Sequence, residues 1–366
     1  MCRLAFRRGG RYNCCMKTLM WTGWIALLSV CLAAGQTISR NPYIGAIVID
    51  AADGTVLFED GADRPGYPAS MLKLMGLFVV SDRIRDGVHR LDETVAVTRE
   101  AAEMGGTQVY LDTRESFPLE DMLYAMIVAS ANDAAMALAI HVGGSREGFV
   151  ELMNRKARDL GLSPITRFQS PHGLPPKDRR PDMTTARDFA ILCKALLDTH
   201  PDVLRYTSTT DREFRPEPKL FMMHTRNRLL RTLPGCDGLK TGFFRDAGYS
   251  IASTVQRNGA RVIVVILGSE ARQTRDDKVV ELVNRYLPQA KRAVAVTPPP
   301  PVPRPSPPPV PAPVGVEDDP EDDESMQEDQ PKPSGKGVRI AVSLLIVGFG
   351  LAAVVMAVQR RLLVRR

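Results

Sequence analysis

The sequence predicts an α+β domain, in which strands at the two ends of the domain form a sheet and helices lie between them. Near the start, Tyr43–Asp50 and Thr55–Glu59 are apolar runs around a short glycine-containing turn, which is typical of a β-hairpin. Near the end, Tyr249–Val255 and Arg261–Leu267 are joined through Asn258-Gly259, a strong hairpin signal. Strands that do not alternate with helices favour α+β over repeated β-α units.

Five segments are predicted to be helices. The first begins near Ser70 and continues to Ile84, and its many apolar residues indicate a core helix. The others are Leu119–His141, Arg146–Leu160, Thr185–Asp198 and Asp277–Leu287. In the last of these, apolar side chains recur with the helical period and fall on one face.

Composition divides the 366 residues into segments around a predicted globular domain at 37–296. Residues 1–36 predict a secretory signal peptide, because a lysine, an apolar run and small residues follow one another from Met16, which is also a candidate true start. Residues 297–337 are rich in proline and then in acidic residues, and such a composition forms no core. We expect a disordered stalk there.

The segment 338–358 is predicted to be a transmembrane helix. Its uncharged part, Ile340–Val358, would be about 28 Å long as a helix, enough to cross a bilayer. The basic tail at 359–366 belongs in the cytoplasm by the positive-inside rule. The sequence therefore predicts a single-pass plasma-membrane protein whose globular domain is extracytoplasmic, in the periplasm or on the outer surface.

Several classes of partner and cofactor are disfavoured. The formal net charge is +6, but no basic stripe is interleaved with aromatic residues, so we expect no nucleic-acid partner. Cys193 and Cys236 have no C-x-x-C spacing and no histidine at ligand spacing, so we expect no metal site, and the acyl transfer considered below calls for no cofactor. Whether these two cysteines pair in a disulfide is left open by the sequence.

Three short motifs carry candidate chemistry: Ser70-Met71-Leu72-Lys73, Ser130-Ala131-Asn132 and Lys240-Thr241-Gly242. Acyl transfer needs a serine and a base that takes its proton. Lys73 lies one helical turn from Ser70 and can reach its hydroxyl. Burial and a neighbouring cation, for which Lys240 is the candidate, would make the lysine neutral enough to act. The Ser70 amide at the helix start can donate to an oxyanion.

The other two motifs have both functional and structural interpretations. Ser130 can relay a proton to a leaving amine and Asn132 can bind a substrate backbone, or both can simply cap a helix break. Lys240 and Thr241 suit a substrate carboxylate, and Gly242 allows a close backbone approach. The alternative is a charged edge strand that discourages aggregation.

Around these motifs the chain resembles the low-molecular-weight penicillin-binding proteins, the serine D-alanyl-D-alanine carboxypeptidase family. The resemblance runs from about Pro42 to Leu287 and includes the phrases LEDMLYAMIVASANDAAMALA, SPHGLP and CDGLKTGFFRDAGYSIAS. It implies a serine β-lactamase/transpeptidase-like fold, with an antiparallel sheet flanked by helices and an all-helical subdomain. It also implies an acyl-enzyme that acts on peptidoglycan stem peptides and is inhibited by β-lactam antibiotics.

The resemblance assigns roles to matching positions. Ser70 would be the nucleophile and Lys73 its base, with Ser130, Asn132 and Lys240 as proton-relay and substrate contacts. Thr241 would bind the terminal carboxylate, and the amides of Ser70 and Phe243 would form the oxyanion hole. Two arginines match family positions near the substrate carboxylate: Arg226 and Arg275. The chain departs from the family at Leu72, Ala131 and Phe243. The predicted stalk and transmembrane helix also stand in place of the β-rich second domain and amphipathic anchor of many members.

Three rival functions stay open. A class A β-lactamase needs a carboxylate that activates the deacylating water, and the nearest candidate, Glu151, lies on a helix whose pattern places it at the surface. A D,D-endopeptidase would cleave cross-linked wall peptides with the same residues. A membrane-tethered wall-binding scaffold without turnover is the non-enzyme alternative, against which the intact motifs argue.

Overall fold

A five-stranded antiparallel sheet lies at the centre of the structure. The computed structural model describes residues 40–175, 181–215 and 220–292. Among these residues no helix is both long enough and apolar enough to cross a bilayer. Four predicted segments lie outside the described residues: the signal peptide (1–36), the stalk (297–337), the transmembrane helix (338–358) and the basic tail (359–366).

The strands of the described residues are β1 (Gly45–Asp50), β2 (Val56–Asp60), β3 (Thr94–Ala96), β4 (Ser116–Pro118), β5 (Asp211–Arg215), β6 (Phe221–His224), β7 (Cys236–Phe244), β8 (Gly248–Arg257) and β9 (Ala260–Ser269). The main sheet has the order β2-β1-β9-β8-β7, and β3-β4 and β5-β6 are separate hairpins. Both predicted hairpins are confirmed. Asn258 and Gly259, between β8 and β9, have φ of 52° and 79°, as a two-residue hairpin turn with right-handed strand twist requires.

Helices cover both faces of the main sheet. The helices are α1 (Lys73–Arg85), α2 (Arg99–Ala102), α3 (Leu119–Tyr124), α4 (Asn132–Gly143), α5 (Arg146–Asp159), α6 (Ala186–Thr199), α7 (Leu204–Thr207), α8 (Leu229–Thr232) and α9 (Arg272–Tyr286). Successive side chains of a strand point to opposite faces. Ile47 and Ile49 of β1 therefore join the core that contains α1 and α6, while Ala46 and Val48 pack in the core that contains α9.

The predicted helix Leu119–His141 is wrong as one continuous element. The structure divides it into α3, a π-helical turn at Ala125–Ala129 and α4, with Ser130 in the left-handed region at φ 62°. The backbone N–H of Asn132 donates to Thr107 O at 2.8 Å. This tertiary hydrogen bond replaces the one that a continuous helix would make at Asn132. The predicted helix Asp277–Leu287 is confirmed, but it begins five residues earlier, at Arg272.

Both cysteines of the described residues are free: Cys193 is buried in α6 and Cys236 begins β7. The open question of a disulfide is thereby answered for this structure. The α+β prediction, with an antiparallel sheet flanked by helices, is confirmed. Because β7 is the last strand of the main sheet, the Lys240-Thr241-Gly242 motif lies on an edge strand.

Candidate active site

Ser70 lies in a 3-10 turn, Ala69–Leu72, that leads directly into α1. Ala69 has a left-handed φ of 47°, which is strained for a residue with a Cβ and is characteristic of functional sites. Two glycines touch this turn. A Cβ on Gly173 would lie 2.2 Å from Ala69 O, and a Cβ on Gly242 would lie 2.4 Å from the carbonyl oxygen just before the turn. Only glycine fits at either position, so the backbone of the turn is tightly held.

Lys73 is fully buried and its amine contacts three groups. Nζ lies 2.9 Å from Ser70 Oγ, 2.8 Å from Asn132 Oδ1 and 2.8 Å from His172 O. Burial lowers the pKa of Lys73 well below its ordinary value, and the positive charge of Lys240 lowers it further. Burial and the charge of Lys240 both support the sequence-based expectation of a neutral lysine beside the serine.

A neutral amine has two N–H bonds and one lone pair. Asn132 Oδ1 and His172 O are acceptors only, so they take the two N–H bonds of Lys73. The lone pair is then directed at the Ser70 hydroxyl, 2.9 Å away. This arrangement orients a base toward the proton of the serine.

Lys240 is also buried, on strand β7. Burial lowers its pKa to about 7, with further lowering by the positive charges of Arg226 and Arg275. Its amine donates to Thr241 O at 3.3 Å. Arg275 is held by Asp276, whose Oδ1 accepts from its Nη2 at 2.6 Å and from its Nε at 2.9 Å.

The middle motif contacts Lys73 through Asn132. Ser130 is buried, and its left-handed backbone ends the π-helical turn. Asn132 begins α4, and its Nδ2 donates to Gly105 O at 2.9 Å while its Oδ1 accepts from Lys73. Asp133, next in the chain, accepts the backbone N–H groups of Val109 and Leu111 through its carboxylate. The start of α4 therefore holds the loop that precedes β4 against the motif.

A cleft of about 130 Å³ opens above these residues. It is lined by Ser70, Thr107, Ser130, Arg226, Thr241, Gly242, Phe243, Tyr249, Arg272 and Arg275. Seven of the ten residues predicted for the site line it, and the other three, Lys73, Asn132 and Lys240, are buried. The described residues that line the cleft include no carboxylate and three arginines, so the cleft attracts an anion.

Most of the described residues match one known protein family. The family described as D-alanyl-D-alanine carboxypeptidase (peptidase S11) matches residues 40–271. The chain belongs to this family. The matched residues include all three motifs: Ser70-Met71-Leu72-Lys73, Ser130-Ala131-Asn132 and Lys240-Thr241-Gly242.

Individual relatives agree with the family match. The chain is 32% identical over 240 residues to D-alanyl-D-alanine carboxypeptidase DacF of Bacillus subtilis, covering 65% of this chain and 60% of the relative. It is 34% identical over 261 residues to DacC of Escherichia coli, covering 69% and 63%. The chain thus spans only about three fifths of the length of these relatives. Penicillin-binding protein D2 of Listeria monocytogenes, solved in an ampicillin-bound form, matches with TM-score 0.60 and 32% identity over 66% of this chain and 96% of that one.

Sequence reasoning missed some residues of the candidate site. Thr107, Tyr249 and Arg272 line the cleft but stand outside the three motifs. His172 contributes a backbone carbonyl to Lys73, and burial lowers the pKa of its imidazole to about 3. His172 lies in the segment SPHGLP, which contributes to the family resemblance, but the sequence assigned no role to this histidine.

The loop that carries His172 is fixed by its own hydrogen bonds. Ser170 Oγ accepts from Gly173 N at 2.9 Å and donates to Asp182 Oδ2 at 2.8 Å. Burial raises the pKa of Asp182 to about 6. Gly173 has φ of 83°, which favours glycine. These contacts set the position of the carbonyl that accepts from Lys73.

Glu151, the carboxylate considered for a β-lactamase, lies on α5 with its side chain 69% exposed and pairs with Arg155 at 3.3 Å. It is absent from the residues that line the cleft. The expectation of a surface position is confirmed, which argues against a β-lactamase that would use this residue.

Proposed function

We propose that this chain is a serine-type D-alanyl-D-alanine carboxypeptidase that removes the terminal D-alanine from peptidoglycan stem peptides and is inhibited by β-lactams. The observation that carries the proposal is the buried Lys73 amine, 2.9 Å from Ser70 Oγ and with a pKa well below its ordinary value. A serine with an adjacent neutral base is the arrangement that acyl transfer requires.

In the proposed acylation step, Ser70 Oγ attacks the carbonyl carbon of the penultimate D-alanine, and Lys73 Nζ takes the hydroxyl proton. The carbonyl oxygen becomes an oxyanion, which the backbone amides of Ser70 and Phe243 stabilise. The C–N bond to the terminal D-alanine then breaks. Ser130 donates its hydroxyl proton to the leaving amine and regains one from Lys73, which becomes neutral again, and water later hydrolyses the Ser70 ester to release the shortened peptide.

The terminal carboxylate of the substrate would meet the most basic part of the cleft. Thr241 and Lys240 lie on β7, and the guanidinium groups of Arg226 and Arg275 lower the pKa of Lys240 through their positive charges. A carboxylate bound there would be attracted by all three cations. The backbone that approaches Gly242 closely is that of the turn before Ser70, and the room for an extended substrate is at the edge of β7, where a ligand strand can pair with the sheet.

We further propose that the domain is held outside the plasma membrane. The support is the sequence: a signal peptide at 1–36, a proline-rich and acidic stalk at 297–337, a transmembrane helix at 338–358 and a basic cytoplasmic tail at 359–366. A single-pass anchor suits an enzyme whose substrate is a fixed wall polymer. Carbonate extraction of membranes and protease treatment of intact spheroplasts test this topology, and release of the chain by carbonate would refute it.

The activity is tested with the full chain in detergent, incubated with a pentapeptide that ends in D-Ala-D-Ala. We expect mass spectrometry to show the loss of one alanine with the natural chain and none with Ser70→Ala. Cleavage of a cross-linked peptide dimer without release of D-alanine would instead support a D,D-endopeptidase. Absence of both turnover and penicillin labelling in a folded sample would refute the proposal and favour the scaffold.

A further inference from the structure

Three potential metal ligands converge outside the cleft. Nδ1 of His89 and Nε2 of His141 lie 2.7 and 2.6 Å from the same atom, Oε1 of Glu93. The three ligand atoms all lie within 4.8 Å of one another, and the imidazole centroids are 5.3 Å apart. None of these residues takes part in the proposed reaction.

The three side chains come from different segments. His89 follows α1, Glu93 immediately precedes β3, and His141 lies in the last turn of α4. Both helices begin at the active site, α1 with Lys73 and α4 with Asn132. A helix of twelve residues is about 18 Å long, so the cluster joins the ends of α1 and α4 that lie far from the cleft.

The donor set is that of a transition metal. Two imidazoles and one carboxylate bind zinc in sites that keep one position for water, whereas calcium and magnesium prefer oxygen ligands alone. Zinc with bonds of about 2.0 Å in tetrahedral geometry holds its ligand atoms about 3.3 Å apart. Each His–Glu contact would therefore open by about 0.6 Å. The side chains are 15%, 25% and 26% exposed, so they can adjust and water can complete the coordination.

Surrounding hydrogen bonds orient the carboxylate. The backbone N–H of Arg90 donates to Glu93 Oε2 at 2.9 Å, which leaves Oε1 toward both imidazoles. The Arg90 guanidinium pairs instead with Asp92. Leu119 N donates to Glu93 O at 2.9 Å and fixes the backbone. Such outer contacts are what hold metal ligands in place.

We propose that His89, Glu93 and His141 bind one zinc ion, which links the ends of α1 and α4 that lie far from the active site. Metal binding at His89 Nδ1 and His141 Nε2 requires neutral imidazoles, so any proton on these nitrogens moves to the other ring nitrogen or to solvent. The zinc is structural here, because the cluster is remote from the cleft that contains Ser70.

The test measures zinc binding by the full chain, purified in detergent, stripped with a chelator and dialysed against known free Zn²⁺. Two variants remove ligands: Glu93→Gln, which keeps the side-chain size, and His141→Ala. The matched control is His224→Ala, because His224 is an exposed histidine that also pairs with a carboxylate, that of Asp211. We expect one zinc per natural chain, at least tenfold weaker binding in both ligand variants, and an unchanged control.

Two further measurements, of thermal stability with zinc and of Co²⁺ absorption, distinguish the proposal from its alternatives. Zinc at about a hundredfold excess over its Kd should raise the Tm of the natural chain by about 5–10 °C, with no rise for Glu93→Gln. Co²⁺ in place of zinc should give the absorption of nitrogen and oxygen ligands without thiolate charge transfer. Binding that is absent, equal in all variants, or thiolate-based would overturn the proposal. If His141→Ala does not fold, Glu93→Gln alone decides.

Discussion

Replacing Gly173 with alanine should separate the position of the nucleophile from the stability of the domain. The new Cβ would lie 2.2 Å from Ala69 O, 2.5 Å from Ala69 C and 3.0 Å from Ser70 N. Ordinary contacts begin at 3.4 Å, so one side must move by about 1 Å. All three atoms are backbone, so a side-chain rotation cannot relieve the clash. Either the turn that bears Ser70 moves, or the loop that presents His172 O to Lys73 moves.

The expected effect is a loss of about 10²-fold in the rate of Ser70 acylation, because misplacement of a reacting group by about 1 Å has that effect. The left-handed φ of 83° adds a cost of about 1–2 kcal/mol in the free energy of unfolding. The matched control is Gly161→Ala. Gly161 has φ of 67°, and its Cβ would meet nothing within 4 Å, so it carries the backbone cost alone.

The assay is the second-order rate of labelling by a fluorescent penicillin, followed by stopped flow beside thermal unfolding. Both variants should lose a few degrees of Tm, about 2–4 °C for each kcal/mol. Only Gly173→Ala should lose acylation. A folded Gly173→Ala protein that is labelled within threefold of the natural rate would refute the idea that this contact positions Ser70.

Three other substitutions have defined outcomes. Burial lowers the pKa of Lys240 to about 7 and the positive charge of Arg226 contributes to the lowering, so Arg226→Gln should raise this pKa. Protonated Lys240 should then persist to higher pH and the alkaline fall in the rate of penicillin acylation should move to higher pH; an unchanged alkaline fall would contradict this role. Asp133→Asn weakens charge-assisted bonds to Val109 N and Leu111 N and should cost about 1.5–3 kcal/mol of unfolding free energy, measured by denaturant titration. Cys193→Ser places a hydroxyl in the apolar core and should cost about 1–3 kcal/mol. Because Cys193 and Cys236 are both free in the part of the chain that the structure describes, a reductant should leave the Tm of this domain unchanged, and a fall in Tm would contradict the free thiols.

The hairpins and the three motifs were predictable because their signals are local. β9, at the centre of the sheet, reads as a continuous apolar run and is buried along almost its whole length, and the glycine turn before it fixes the hairpin. The spacing of Ser70 and Lys73 requires contact on any helical turn. Such features depend on few neighbours, so the sequence alone indicates them.

The break at Ser130 was not predictable in the same way. Apolar residues on both sides of it continue the pattern of a buried helix, and the polar residues Ser130, Asn132 and Asp133 indicated a capped break only as one of two interpretations. What interrupts the helix is a bond from Asn132 N to Thr107 O, which joins parts of the chain that are distant in sequence. The role of His172 is equally hidden, because the group that reaches Lys73 is a backbone carbonyl, and every residue has one.

The tight contact between the turn of Ser70 and the two glycines bears on how such an enzyme can change under antibiotic selection. Any side chain added at Gly242 would strike backbone within 2.4 Å, so the junction itself has almost no tolerated variants. If the proposed function holds, discrimination between a drug and a wall peptide would evolve at the rim of the cleft, where Phe243 is 52% exposed. We expect substitutions that confer resistance at the entrance to the cleft and none at its floor.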